Sequence, residues 1–168
     1  MEATLAILNE LETFGLVGRY AIGGAMAAFF YAEAVVTEDL DAFVLLTAQT
    51  GGLVTLTPLY DFLKQRGATE EREHLWVAGT LLQLIPAYDP LTEEAVREAV
   101  DHTVGTTATH VMRVEHLIAI ALKTGRAKDF ARISLLLEEA TINAPMLDAI
   151  LQRHQLLPRW NAFKLRTS

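Results

Sequence analysis

The spacing of apolar and polar residues divides the chain into a mixed first part and a helical second part. Apolar residues three or four apart predict helices, whereas short apolar runs between turn residues predict strands. The predicted helices are 2–14, 25–34, 58–66, 89–101, 114–124, 127–140, 144–155 and 158–165. The predicted strands are 19–22, 41–46, 74–77, 80–85 and 106–112. This order predicts an α+β fold, with a small mixed sheet flanked by helices and a helical C-terminal part.

Turn and cap residues set the boundaries between these elements. Ala78-Gly79 predicts a tight hairpin, and Thr92 is a plausible N-cap for the helix that follows Pro90. Residues 47–52 and 69–73 are polar or glycine-containing and are predicted to be loops. Residues 35–37 are either extended or the end of the preceding helix.

Length and composition are those of an ordinary globular protein. The chain has 168 residues, of which 51% are hydrophobic and 21% charged. We expect one domain over residues 1–168, with a sheet-containing core at 1–112 and a helical part at 113–168. Cysteine is absent, which excludes disulfides and thiolate metal sites.

Charge and hydropathy narrow the expected partners and location. The net charge of −7 argues against broad coating by nucleic acid, although it leaves room for a local basic patch. The N-terminus lacks the positive region of a signal peptide, and no apolar run reaches the length of a membrane span, so we expect a cytoplasmic protein without a membrane partner. The mean hydropathy of +0.24 favours a buried oligomer surface, such as a homodimer. Helices 144–165 either cap the domain or form that surface.

Two short patterns carry candidate chemistry. Gly23-Gly24 follows a short strand and opens an apolar helix, and Asp39 and Asp41 flank one leucine before a run of strand formers. Side chains at i and i+2 of an extended chain point to the same side, and two carboxylates there repel each other unless a cation or proton lies between them. Because magnesium binds through one or two carboxylates plus substrate phosphates, the pair predicts a magnesium site. The alternative for the aspartates is the solvent-exposed start of a strand, and the alternative for the glycines is a turn that binds no ligand.

Taken together, these patterns resemble a known signature. Gly23-Gly24, a short helix and then Thr37-x-Asp39-Leu-Asp41 resemble the signature of the polymerase-beta-like nucleotidyltransferase superfamily. The chain also resembles small bacterial AbiEii-type proteins of toxin–antitoxin and abortive-infection systems. In their helical part, those proteins carry stretches similar to 114–123 and to Gly125-Arg126-x-Lys128-Asp129. The resemblance covers roughly residues 18–137.

The resemblance implies a specific site. Gly23 and Gly24 would let the backbone approach a nucleoside triphosphate, and the helix that they open would point its N-terminus at phosphate. Asp39 and Asp41 would be the catalytic residues and would hold two Mg²⁺ (or Mn²⁺) ions. Thr37 is a further candidate for contact with the nucleotide, and the alternatives are that it is an N-cap or that its hydroxyl stabilises a turn.

Basic residues in the helical part are the remaining nucleotide-binding candidates. Lys123 and Lys128 are expected to contact the triphosphate, with Arg126 between them in sequence. The plainer interpretations are that Lys123 complements a helix dipole and that Asp129 forms a surface ion pair with Arg126 or Lys128.

The strand that should complete the metal site departs from the family pattern. A third acidic residue is expected within 80–85, but the polar residue inside that apolar run is Gln83. An amide oxygen is a weak metal ligand, and it cannot act as a general base. Asp89, Glu93 or Glu94 would have to supply a carboxylate from elsewhere in the chain.

Two other departures from the family pattern flank the aspartates. Val35 stands where related sequences tend to have arginine, and Glu38 adds negative charge directly before Asp39.

These observations leave hypotheses of different classes. The first is metal-dependent transfer of a nucleotidyl group from a nucleoside triphosphate to a hydroxyl group on protein or RNA. The second is a catalytically impaired nucleotidyltransferase scaffold that binds nucleotide or a partner protein, for example as one half of a toxin–antitoxin pair. The third is an unrelated α+β protein in which the motif is a coincidence.

Overall fold

The computed structural model describes residues 1–33, 37–47 and 55–167. The helices within these ranges are α1 Glu2–Thr13, α2 Gly24–Ala28, α3 Thr57–Gln65, α4 Pro90–Arg97, α5 Val114–Thr124, α6 Ala127–Glu139, α7 Ala144–Arg153 and α8 Leu157–Thr167. The strands are β1 Val17–Ile22, β2 Asp39–Leu46, β3 Thr69–Glu71, β4 His74–Val77, β5 Thr80–Pro86, β6 Val100–Val104 and β7 Thr107–Val111. The predicted α+β class is confirmed. Every described helix is too short or too polar to cross a membrane.

The strands form one mixed sheet in the order β3-β4-β5-β2-β1-β7-β6. β2 is central, antiparallel to β1 and parallel to β5, and β1 is parallel to β7. At one edge of the sheet β3, β4 and β5 are antiparallel to one another in sequence order, and at the other edge β6 and β7 form an antiparallel hairpin. The central position of β2 places its aspartates beside two neighbouring strands.

Alternation along β2 separates the core from the site. Leu40, Ala42 and Val44 are fully buried, whereas Asp39 and Asp41 on the other side of the strand are only partly buried. Helices α1 and α4 pack on the sheet, and the apolar stripe of α1 (Leu5, Leu8 and Leu11) is fully buried. The face of β2 opposite the buried residues therefore carries polar side chains near the start of the strand.

The helical part packs around α5. This helix contacts α2, α4, α6, α7 and α8, so it joins the sheet-containing part to the C-terminal helices. Leu147, Ile150 and Trp160 of α7 and α8 are buried within the chain. Apolar residues of 144–165 therefore cap the fold, which is one of the two roles expected for them. The assignment of residues 1–168 to a single domain stays a prediction.

The predicted helix 89–101 is wrong beyond Arg97. Residues 100–104 form β6, an edge strand that pairs with β7 through a turn at Gly105, where φ is +60°. The strand was missed because its middle residues are polar and give no apolar alternation. The N-cap is also one turn earlier than predicted. Asp89, not Thr92, caps α4, because its carboxylate accepts hydrogen bonds from the backbone N–H groups of Leu91 and Thr92.

Two other predicted boundaries differ from the structure. Residues 69–71 form the edge strand β3 rather than a loop, and each of its side chains is exposed, so no apolar signal marks it. The helix predicted at 25–34 is the five-residue α2 followed by turns. The predictions for residues 34–36, including Val35, and for 48–52 lie outside the described residues.

Candidate active site

A pocket of about 850 Å³ lies between the start of β2 and the helices α5 and α6. A volume of this size is typical of small-molecule sites. The sheet side contributes Gly24, Ala25, Thr37, Glu38, Asp39, Asp41, Phe43, Gln83 and Ile85. The helical side contributes Leu117, Ile120, Ala121, Thr124, Arg126, Lys128, Asp129 and Arg132. The pocket therefore brings together acidic groups from the sheet and basic groups from α6.

The two aspartates and Gln83 meet on one side of two paired strands. Asp39 and Asp41 both belong to β2, and Asp41 is directly opposite Gln83 of the parallel strand β5. All three residues line the pocket. The amide of Gln83 therefore occupies the place beside Asp41 where the family pattern predicts a carboxylate.

The glycine pair makes room for the second aspartate. The Gly23 N–H donates a 2.9 Å hydrogen bond to the Asp41 carbonyl oxygen. At Gly24 φ is +58°, and a Cβ built there would overlap the Asp41 Oδ2 atom. A Cβ at Gly23 would lie 2.5 Å from the ring of Phe43. The pair is thus required for the close approach of this turn to β2, whether or not a nucleotide also binds there.

The Asp41 carboxyl is in an unfavourable electrostatic environment. Burial raises its pKa above the ordinary value of 3.8, and the neighbouring Asp39 charge raises it further. Arg132, His74 and Lys128 act in the opposite direction but do not cancel the increase. The negative charge of Asp41 is therefore only partly balanced by the protein itself.

Thr37 fixes the orientation of the first aspartate. Its hydroxyl donates to Asp39 Oδ1 over 2.9 Å and lies 3.3 Å from the Asp39 carbonyl oxygen. This contact leaves the second carboxylate oxygen, Oδ2, turned toward His74, whose Nε2 atom is 3.9 Å away. In the structure the Thr37 hydroxyl therefore orients the Asp39 carboxylate.

The basic side of the pocket is organised by Asp129. This carboxylate is 1% exposed and accepts hydrogen bonds from Arg126 Nε at 2.7 Å and Arg126 Nη2 at 3.1 Å. These bonds, with the Asp129 Oδ2 bond to the Arg126 N–H, lower the Asp129 pKa against the opposing effect of burial. Arg132 lies 3.7 Å from the same carboxylate. Lys128 has no ion pair with another described residue.

Arg132 was missed by sequence analysis. The signal was present, because Lys128 and Arg132 are four residues apart on one helix and so project from the same face. That spacing, however, is not part of a short motif that would mark Arg132 as a site residue.

Some predicted residues lie elsewhere. Lys123 does not line the pocket; its ammonium group pairs with Asp89 Oδ1 at 2.9 Å, and its carbonyl oxygen accepts a bond from Arg159. Asp89, Glu93 and Glu94 are likewise absent from the pocket lining. These three residues therefore do not supply the missing carboxylate in this conformation.

The donor set of the pocket suits a divalent cation that prefers oxygen ligands. Its paired strands β2 and β5 offer the carboxylates of Asp39 and Asp41 and the amide of Gln83, and the raised pKa of Asp41 indicates a charge that a cation would stabilise. Asp39 and Asp41 are thus the residues that would hold the ion.

A second acidic group lies apart from the pocket. Ligand atoms of Glu94, Glu98 and His116 lie within 4.8 Å of one another. Glu94, however, already accepts hydrogen bonds from Arg153, at 2.6 and 2.9 Å, and lies 2.8 Å from His154 Nε2. This carboxylate is therefore already engaged by side chains of the protein.

Comparison with solved structures supports the nucleotidyltransferase-like fold. The solution structure of the antibiotic-resistance factor ANT(2'')-Ia matches with a TM-score of 0.52 and 16% identity, over 99% of this chain and 98% of that one. The crystal structure of ANT(2'')-Ia in complex with adenylyl-2''-tobramycin matches with a TM-score of 0.51 and 18% identity, over the same shares.

A fungal protein shares the fold as well. The crystal structure of an antigenic nucleotidyltransferase-like protein from Paracoccidioides brasiliensis matches with a TM-score of 0.54 and 14% identity, over 95% of this chain and 89% of that one. No protein-family model matches the sequence, and no curated protein does. The likeness thus defines a fold class, while the AbiEii-type relationship stays a prediction.

Proposed function

We propose that the chain transfers a nucleotidyl group from a nucleoside triphosphate to a hydroxyl group of an acceptor, with Mg²⁺ or Mn²⁺ as cofactor. The observation that carries the proposal is the pair Asp39 and Asp41 on one strand, packed against the Gly24 turn and facing basic residues of α6. This is an arrangement for binding a metal and a polyanion together. The fold of the three solved structures supports the same reaction class.

Each side of the pocket has a distinct role in this reaction. Asp39 and Asp41 would hold the cation, and a bound cation would neutralise phosphate charge and polarise the reacting oxygens. Lys128 and Arg132 bind the triphosphate from the opposite wall, and Thr37 keeps Asp39 oriented. The oxygen of the acceptor hydroxyl bonds to the α-phosphorus and its proton passes to solvent water, while the bond from that phosphorus to the β-phosphate oxygen breaks and pyrophosphate leaves.

The acceptor carries a hydroxyl group, and the residues that line the pocket do not define its chemical class. Hydroxyl groups on protein or RNA are the candidates from sequence. The complex of ANT(2'')-Ia with adenylyl-2''-tobramycin adds a small-molecule acceptor to the set that should be tested. Incubation with each of four α-labelled triphosphates and each acceptor class identifies the labelled product.

The direct test is calorimetry of triphosphate binding in the presence of Mg²⁺ or Mn²⁺. We expect the full chain to bind at least one triphosphate, and Asp41→Asn to weaken this binding more than about 100-fold because a metal-ligand charge is lost. Absence of binding for all four triphosphates with either ion would overturn the proposal.

A second candidate function is a binding module without transfer activity, for example in a toxin–antitoxin pair. Gln83 favours it, because an amide beside Asp41 cannot accept the acceptor's proton. This candidate expects metal-dependent triphosphate binding but neither pyrophosphate release nor label transfer under single-turnover conditions. Detectable transfer that depends on Asp41 would reject it.

A further inference from the structure

His74 extends the row of polar groups that begins at Asp41. β4 is antiparallel to β5, with Leu75 opposite Leu82, so one further step of this register brings His74 beside Gln83. Gln83 in turn is opposite Asp41 on β2. Leu75 and Val77 are buried on the other side of β4, which leaves His74 on the same side of the sheet as the pocket.

The imidazole is close enough to Asp39 to share a cation with it. His74 Nε2 lies 3.9 Å from Asp39 Oδ2, the oxygen that Thr37 does not engage. A cation about 2.1 Å from each of two donors allows them to be up to about 4.2 Å apart. The His74 side chain is 23% exposed, and it makes no hydrogen bond to another described residue. Its ring nitrogen is therefore available to a metal.

We propose that His74 is a ligand of the cation held by Asp39, in place of the absent third carboxylate, and that it biases the site toward a first-row transition ion such as Mn²⁺ over Mg²⁺. Mg²⁺ prefers oxygen ligands, whereas imidazole increases the affinity for transition ions. This proposal rests on the metal site of the proposed function, but it concerns ligand identity and ion preference rather than the reaction.

A spectroscopic measurement on the wild-type chain tests ligation directly. Mn²⁺ alone is added to the full chain, and pulsed electron paramagnetic resonance records modulation from ¹⁴N nuclei. We expect coupling to one imidazole nitrogen. A bound Mn²⁺ without nitrogen coupling would overturn the role of His74 while leaving the Asp39–Asp41 metal site intact.

Titrations with Mn²⁺ and with Mg²⁺ test the ion preference. For His74→Asn we expect the Mn²⁺ Kd to rise at least about tenfold and the Mg²⁺ Kd to change less than about threefold, because only the transition ion gains from a nitrogen ligand. His102→Asn is the matched control, since His102 packs against Phe30 and belongs to the edge strand β6, at the opposite end of the sheet from β4. Equal weakening of both ions, or persistence of the nitrogen signal in His74→Asn, would reject the inference.

The same titrations separate this inference from the proposed function. Asp41→Asn should abolish binding of both ions. If wild type binds neither ion, either alone or together with a triphosphate, the proposed function fails and the inference fails with it. If binding is lost in Asp41→Asn but the Mn²⁺/Mg²⁺ preference is unchanged in His74→Asn, the inference alone fails.

Discussion

Two acidic clusters of this protein have opposite electrostatics. Glu94 is held by Arg153, His154 and His116, whose nitrogens lie 2.6 to 3.1 Å from its oxygens. The Arg153 hydrogen bond, supported against burial by those of the two histidines, lowers the pKa of Glu94 to about 2. Asp41 instead has a raised pKa, because burial and Asp39 outweigh the nearby basic groups.

The difference separates a structural cluster from a candidate binding site. Glu94 belongs to α4, His116 to α5 and Arg153 to α7, so contacts between protein side chains in this cluster tie three helices together. The Asp41 carboxyl of the pocket, by contrast, is under-compensated and gains from an added cation. Proximity of acidic and histidine groups is therefore less informative than whether their charges are already satisfied.

The largest expected effect that tests this comparison comes from Gly24→Ala. The added Cβ would overlap Asp41 Oδ2, so the carboxylate must move away from its position in the pocket. We expect metal-dependent triphosphate binding to weaken more than about 100-fold. Gly67→Ala is the control, because Gly67 also has a positive φ, of +84°, but nothing lies within 4 Å of a Cβ built there. Calorimetry that shows equal binding for the two variants would contradict the role given to Gly24.

The second effect concerns the structural cluster. Glu94→Gln leaves Arg153 and two histidines without their shared anion, and we expect a loss of about 2–3 kcal/mol in the free energy of unfolding at pH 7. Metal binding should not change, since Glu94 does not line the pocket. Glu93→Gln, which removes an exposed pair with Arg97, should change stability by less than about 0.5 kcal/mol. Urea denaturation measures both variants.

The same variant has a defined pH dependence. The folded pKa of Glu94, about 2, is below its ordinary value of 4.5, so its contribution is fully present above pH 4.5 and is lost as the pH falls toward 2. The stability difference between wild type and Glu94→Gln should shrink across that window. A difference that stays constant from pH 7 to pH 3 would mean that packing, not charge, accounts for the loss.

Sequence predicted the fold class because its long elements carry strong periodic signals. Helices such as 2–14 and 114–124 have continuous apolar stripes, and the structure places them at Glu2–Thr13 and Val114–Thr124. The edge strands β3 and β6 were missed for a common reason. Their stability comes from pairing with a neighbouring strand rather than from a buried face of their own, and pairing leaves no local pattern.

The site was predictable only where its residues lie in one short stretch. Gly24, Thr37 and the aspartates fall within 18 positions, and all of them line the pocket. His74 and Arg132 come from distant parts of the chain, and sheet register and helix packing bring them near Asp39 and Asp41. Lys123 had the expected type and spacing, but a partner on the α4 N-cap, Asp89, engages it instead.

A third, intermediate effect is expected from Gln83→Glu, which would supply the absent carboxylate beside Asp41. The affinity for Mg²⁺ should rise about tenfold, because an oxygen anion replaces a neutral amide. If wild type transfers label slowly or not at all, this variant should transfer faster. Gln152→Glu on the exposed face of α7 controls for the change in net charge. Unchanged Mg²⁺ affinity would indicate that Gln83 lies outside the coordination sphere.

The smallest expected effect is a gain in stability when Asp41 is replaced. It tests the contrast between Asp41 and Glu94 most directly. Asp41 has a raised folded pKa, so its ionisation destabilises the fold above the ordinary value of 3.8, and this penalty disappears below that pH. Asp41→Asn should therefore raise the Tm at pH 7 in the presence of a chelator. We expect this rise to be smaller than the fall in Tm caused by Glu94→Gln, and we expect it to vanish near pH 3. Asp148→Asn, at an exposed position of α7, should leave the Tm unchanged. A fall in Tm for Asp41→Asn would mean that the pocket carboxylates are satisfied by the protein, as those of the Glu94 cluster are.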